Sequence, residues 1–229
     1  FYAEMGGEVG DTGTITADGV ELQVTDTKAP EKGLVCHVVT VASGVLTVGM
    51  AVSAQVDVKR RACIARNHTC THILHAALRQ VLGAHVKQAG SYVGPDRLRF
   101  DFTHFESVTP EQLKQVEELA NSVIMSATAT NIFETSLAKA REEGVTALFG
   151  EKYGDVVRVV KVGDFSSELC GGCHVANTAE IGLVKIVSEN SVGANLRRIE
   201  AFTSYDALAY LNGFEHQIAC AHIRCPGPR

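Results

Sequence analysis

Along the first 58 residues the apolar positions come in short runs broken by glycine and turn residues. TGTITADGVELQVTDTK alternates apolar and polar positions on both sides of Ala17-Asp18-Gly19, which predicts two strands joined by a tight turn. LVCHVVTV and VSAQVDV continue the alternation, punctuated by Gly44 and Gly49. Such short strands bury one face by closing or packing, so residues 1–58 are expected to form a small glycine-rich β-barrel. From Asn67 to about Leu82 the period becomes helical. A turn at Gly94-Pro95-Asp96 leads into an alternating strand, Leu98–Phe102. In VTPEQLKQVEELANSVIM, Thr109 fits an N-cap, Pro110 the first helical position and Gln112 the partner that completes a capping box. SLAKAREEGV reads as a shorter helix ending at Gly144, and VVRVVKV and GLVKIVSE as strands flanking a cysteine loop. RRIEAFT reads as one more strand, so residues 59–205 are expected to be an α+β domain with an antiparallel sheet. Residues 206–229 are expected to begin a helical linker with DALAYLN and then lose the helix, leaving a loose tail over 213–229.

Composition narrows the picture in a few places. With 229 residues, 45% of them apolar and 21% charged, the chain can bury a substantial core. A net charge of −5 argues against nonspecific coating of nucleic acid. Local basic groups remain at Lys59-Arg60-Arg61 with Arg66, at Arg97 with Arg99, and at Arg197-Arg198, each equally readable as solvated surface charge. No apolar run approaches the ~18 residues of a membrane span, and no signal-peptide pattern is present. Seven cysteines, an odd number accompanied by histidines, favour a reducing compartment and a metal over a disulfide framework. The first methionine, Met5, lies inside a coherent motif that begins with Phe1, so a longer chain is expected on the N-terminal side.

The candidate chemistry sits in two distant stretches. NHTCTHILHAAL puts His68, His72 and His75 on one helix face, at spacings of four and three. SSELCGGCHVANT places Cys170 and His174 across Gly171-Gly172, glycines that let the backbone turn sharply. Two imidazoles from the helix with that thiolate and imidazole make four nitrogen and sulfur donors, a set that suits Zn²⁺. Singly, the histidine pattern also describes an acid/base pair or packed core histidines, and the cysteine loop a redox pair or half a zinc ribbon. No second CxxC completes a ribbon, and no helix signal follows the loop as a redox motif requires. A metalloprotease helix needs glutamate where Thr69 stands. His75 is left over as a packed or supporting histidine.

FYAEMGGEVGDTG, NHTCTHILHAALR, DRLRFDFTH, ALFGEKYGD, ELCGGCHVANTAEIG and SVGANLRRIEA stand in the order and spacing of the editing region of alanyl-tRNA synthetases. The chain resembles that family from about Phe1 to Tyr205. The resemblance implies a β-barrel followed by an α+β domain shared with the editing domain of threonyl-tRNA synthetases. It implies an aminoacyl-tRNA deacylase that hydrolyses seryl- or glycyl-tRNA(Ala), with tRNA(Ala) as partner, Zn²⁺ as cofactor and a cytoplasmic location. The family's HxxxH and CxxxH ligands fall on His68, His72, Cys170 and His174, the expected metal ligands and catalytic residues. Glu8 is a further candidate at the catalytic site. It stands where the family usually has Gln, exchanging a neutral donor for an acceptor-only carboxylate. Cys173 replaces the family's usual Thr and offers a second thiolate that could compete for the metal. Thr12 and Thr14 are candidate readers of a seryl hydroxyl, or else ordinary turn and strand residues. Arg97, Arg99, Arg197 and Arg198 are candidate phosphate or ribose contacts. ATP and Mg²⁺ would serve only an aminoacylation domain lying upstream. Alternatives are a freestanding trans-editing protein, a threonyl-type editing domain, and a zinc-stapled domain that only grips tRNA.

Overall fold

The computed structural model of the chain describes residues 1–31, 33–147 and 153–224, the last ten of these as backbone alone. Alternating residues in the N-terminal third form β1 (Gly13–Ala17), β2 (Val20–Glu31), β3 (Leu34–Ser43) and β4 (Ser53–Val56). The Asp18-Gly19 turn sets the β1–β2 register, pairing Ala17 with Val20 and Gly13 with Val24. The four strands make one antiparallel sheet in the order β3-β2-β1-β4. That sheet stays open where the sequence pattern predicts a barrel, because β3 and β4 remain its two edges. Only one face is apolar and buried, at Ile15, Val20, Leu22 and Val24. Along β3, Val35, Val38, Val39 and Val41 are all exposed, so no closed interior forms around them.

Asp57 ends this part and starts the next. Its carboxylate accepts the backbone N–H groups of Lys59 and Arg60, capping a 25-residue helix α1 (Val58–Leu82). The helix thus begins nine residues before Asn67, where the apolar period alone places it. The first turns are rich in basic residues and show no period, but the cap supplies their orphan donors. Next come β5 (Gln88–Val93), β6 (Leu98–Thr103), α2 (Pro110–Met125), β7 (Thr130–Ser136), α3 (Leu137–Glu142), β8 (Val156–Val162) and β9 (Ser166–Leu169). A single 3₁₀ turn (Thr178–Ile181), β10 (Val184–Gly193), β11 (Leu196–Thr203) and α4 (Ser204–Arg224) complete the order. Thr109, Pro110 and Gln112 form the capping box the sequence predicts for α2.

Strands β10-β11-β6-β5 form a second antiparallel sheet and β7-β8-β9 a third, giving the α+β class. One face of the second sheet carries Leu98, Phe100, Phe102, Ile199 and Ala201 into the main core. Against it pack Ile73, Leu74, Ala77 and Leu78 of α1 and Val116, Ala120 and Ile124 of α2. Helix α1 is therefore enclosed: every residue from Asn67 to His75 is buried. Helix α4 runs on to Arg224 instead of breaking at Gly213. Tyr210 packs edge-on against Phe202 of β11 and Phe214, and one interior glycine costs only about 1 kcal/mol. The remainder of the expected loose tail, 225–229, lies outside the described residues, as do 148–152 of the ALFGEKYGD motif.

Candidate metal centre and the cleft beside it

Helix α1 brings His68 and His72 to one side one turn apart, and the loop after β9 brings Cys170 and His174 up to them. One donor atom from each of the four lies within 4.8 Å of all the others. Cys170 Sγ is 3.3 Å from His68 Nε2 and 3.3 Å from His174 Nε2. Tetrahedral bonds of roughly 2.0–2.1 Å to nitrogen and 2.3 Å to sulfur place such donors about 3.5 Å apart. The donor set and its spacing fit a Zn²⁺-type ion.

Each of the three imidazoles has a partner within 3.1 Å of its other nitrogen, leaving Nε2 for a metal. His68 Nδ1 lies 2.5 Å from Glu8 Oε2. His174 Nδ1 is 3.1 Å from Thr69 Oγ1, which also accepts the N–H of Val175. His72 Nδ1 sits 2.8 Å from Glu168 Oε2, an ion-pair distance without the angle of a hydrogen bond. The other oxygen of Glu168 binds His75 Nδ1 at 2.7 Å. His75 packs on Phe100 and stays outside the four-donor group, as its surplus in the sequence suggests. Thr69, which breaks the protease motif, here holds His174 of the loop.

Electrostatics favour the ligating form of the thiol. Burial alone would raise the Cys170 pKa, but the surrounding imidazoles of His68, His174 and His72 outweigh it and pull it down to about 2. Cys173 goes the other way, pushed up to about 12 by burial and then by the Glu8 carboxylate. It does not join the donor group, and its backbone N–H binds Glu8 Oε2 at 2.9 Å. The loop itself is pinned from β8, where Arg158 Nη1 donates to the carbonyls of Cys170 and Gly172. At Gly172 the need for glycine is space and not a left-handed φ. A Cβ there would collide with the His68 ring and Glu8 Oε2.

A cavity of about 270 Å³ opens beside these residues, with His68, His72, Cys170 and Glu168 in its lining. Tyr2, Met5 and Gly6 of the N-terminal segment and Gln88 and Ser91 of β5 line it as well. Ser91 Oγ donates to Gly6 O at 3.1 Å and accepts from Gln88 Nε2 at 3.3 Å. Neither residue stands out in the sequence, because a Gln and a Ser on a short strand carry no signal of their own.

Glu8 is only 1% exposed and stands behind His68, off the cavity wall. Thr12 and Thr14 do not line the cavity either, and Thr14 pairs with Gln23 and Gln55 inside the first sheet. Each arginine singled out on or just before a strand of the second sheet has a carboxylate partner: Arg197 with Glu189, Arg198 and Arg99 with Asp101, and Arg97 with Asp96 and Glu200. Those charges are internally matched. The five cysteines whose side chains are described, Cys36, Cys63, Cys70, Cys170 and Cys173, are all free.

Residues 157–200, which carry Arg158, Glu168 and the Cys170–His174 loop, match the family described as the threonyl and alanyl tRNA synthetase second additional domain. Residues 1–60 match the class II (A) tRNA synthetases. Over 219 residues, 96% of this chain, it is 55% identical to the alanine–tRNA ligase of Pelotomaculum thermopropionicum. The chain belongs to the alanine–tRNA ligase family. It is also 56% identical over 212 residues (93% of the chain) to the enzyme of Acetivibrio thermocellus, and 51% identical over 212 residues (again 93%) to that of Bacillus anthracis. It spans about a quarter of the length of these ligases, 25%, 24% and 24% respectively. Among the described residues, no helix is long and apolar enough to cross a membrane.

Proposed function

We propose that this region is the editing site of an alanine–tRNA ligase, hydrolysing the ester of tRNA(Ala) mischarged with serine or glycine. The observation that carries the reading is the four-donor cluster, three members of which, His68, His72 and Cys170, line a cavity. At about 270 Å³ the cavity lies near the small end of the usual range for ligand pockets, roughly 300–1,000 Å³. It suits an aminoacyl ester better than a whole nucleotide. The need for such a site follows from magnitudes. An apolar alanine pocket rejects an added hydroxyl by only ~10²-fold, and glycine fits wherever alanine fits.

In this reading His68, His72, Cys170 and His174 hold Zn²⁺, while Glu8, Glu168 and Thr69 fix the three rings. Bound zinc supplies positive charge beside the ester. Gln88, Ser91 and the Gly6 carbonyl present hydrogen-bonding groups to the cavity, placed to meet the seryl hydroxyl and the substrate amine. Tyr2 and Met5 narrow the cavity and limit the side chain admitted. ATP-dependent attachment of alanine to tRNA belongs to the remainder of such a ligase, and the setting is the cytoplasm, where translation runs.

Deacylation of Ser-, Gly- and Ala-tRNA(Ala) by the protein, with and without a chelator, tests the proposal. The first two substrates are expected to be cleaved and the third spared, with cleavage lost on metal removal. Cys170→Ala and His72→Ala are each expected to abolish deacylation; full activity in a metal-free variant would defeat the role of the cluster. A second reading, a purely structural zinc in a tRNA-gripping module, is favoured by one feature: four protein ligands close a zinc shell. It predicts equal binding of charged and uncharged tRNA(Ala) and no hydrolysis.

A further inference from the structure

On the other side of the Cys170–His174 loop lies a separate cavity of about 560 Å³. It shares Arg158, Gly171 and Gly172 with the cavity lined by His68, His72 and Cys170, and has His174 on its own wall. The two spaces therefore adjoin at Gly171 and Gly172, two residues that add no side chain of their own, with Arg158 bordering both. Three guanidiniums line the second cavity: Arg61 and Arg66 from α1, and Arg158 from β8.

Their pairing separates them from the arginines of the second sheet. Arg61 is matched by Asp11. Arg66 donates to the Glu180 backbone carbonyl, and Arg158 to the carbonyls of Cys170 and Gly172. Among the described residues neither has a carboxylate partner. Carbonyls orient a guanidinium plane but leave its charge uncompensated. The one acid on the cavity wall, Glu180, spends an oxygen on the N–H groups of Ala176 and Asn177. In a chain of net charge −5, two oriented arginines with no carboxylate at ion-pair distance are a local exception, although Glu134 stands opposite Arg158 across the β7–β8 pair.

We propose that this second cavity is a binding site for the phosphodiester backbone of single-stranded RNA, with Arg66 and Arg158 as its phosphate contacts. The terminal ribose crosses at Gly171-Gly172 and delivers its ester to the metal side. The inference rests on the editing reading for the ester but not for the phosphates, which the arginines bind whether or not hydrolysis follows. It turns part of a basic patch visible in the sequence into a track with a direction: phosphates on one side of the thiol loop, acyl group on the other.

The test uses the zinc-loaded protein and Arg66→Ala, chosen because Arg158 also braces the metal loop. With seryl-tRNA(Ala) the variant is expected to raise KM about tenfold at unchanged kcat and metal content. With 3′-O-seryladenosine, which has no phosphate, it is expected to match the wild type. The slope of log Kd against log salt for an uncharged hairpin ending in CCA should fall by about 0.7, the loss of one single-strand phosphate contact. Arg66→Lys should restore most of the affinity. Equal effects on both esters, or an unchanged hairpin Kd and salt slope, would overturn the site. Failure of the wild type to cleave either ester would instead sink the editing reading, and the hairpin titration would still decide the phosphate site.

Discussion

At the scale of single residues, identical side chains take opposite states here according to what surrounds them. Burial raises the thiol pKa of Cys70 inside α1, where no charge opposes it. Burial acts on Cys170 too, yet three imidazoles reverse the result and leave a thiolate. If the cluster holds a metal as proposed, the carboxylates behind the rings support it, since an imidazole that donates Nδ1–H to an anion is a better donor at Nε2. Glu168→Gln is expected to weaken zinc affinity about 10- to 100-fold, read by competition with a chromophoric chelator. An unchanged affinity would show that His72 needs no anion behind it. Glu8→Gln should weaken affinity in the same direction while conserving shape, because the amide keeps an acceptor but loses the charge facing His68.

At the scale of elements, the centre depends on one long helix and one short loop that each tolerate little change. Helix α1 is enclosed where it carries the ligands, and its polar residues are consumed by cross-links. Asn67 donates to the Gly94 carbonyl and accepts from Thr203, and Thr69 serves the loop. Gly172→Ala forces a methyl group into the His68 ring, an overpacking that costs about 1–3 kcal/mol and displaces a ligand. Metal content measured by atomic absorption should fall well below one ion per chain in that variant. Thr109→Ala is the contrasting change, remote from the ligands. It loses a capping box worth about 1 kcal/mol and should lower Tm by roughly 2–4 °C, with metal content intact.

At the scale of the whole molecule, the N-terminal segment is bound to the α+β part by contacts far apart in sequence. Glu8 bridges to Val93 of β5, and Asp11 grips Arg61 of α1 while accepting the N–H of Tyr2. This tie places Tyr2, Met5 and Gly6 in the lining of the same cavity as His68, His72 and Cys170. Burial would raise the Asp11 pKa, but the Arg61 fork and the Tyr2 N–H outweigh it and hold it below the usual carboxylate range. Its contribution is therefore present above the ordinary aspartate pKa and is lost as pH falls through the lowered folded value. Asp11→Asn is expected to cost about 1–3 kcal/mol in urea denaturation at pH 7. The gap between variant and wild type should shrink below about pH 4; a gap that stays constant would mean the carboxylate charge is idle.

Sequence alone determined what local chemistry can specify. The capping box of α2 needs three neighbouring residues, the β1–β2 turn needs Asp18-Gly19, and the histidine spacing needs only helical period. The α+β class and the four-donor set were legible for that reason. Other outcomes waited on the tertiary structure. Whether four strands close depends on what fills their interior, and β3 has nothing to cover. Whether an arginine is free depends on distant acids, which claim Arg197 and Arg198 but leave Arg66. The cavity walls of Gln88 and Ser91, and the stations of Glu8 and Glu168 behind their rings, came from chain crossings that no local pattern encodes. Local rules write elements into the chain, but a site is a convergence of side chains, and convergence is a property of packing.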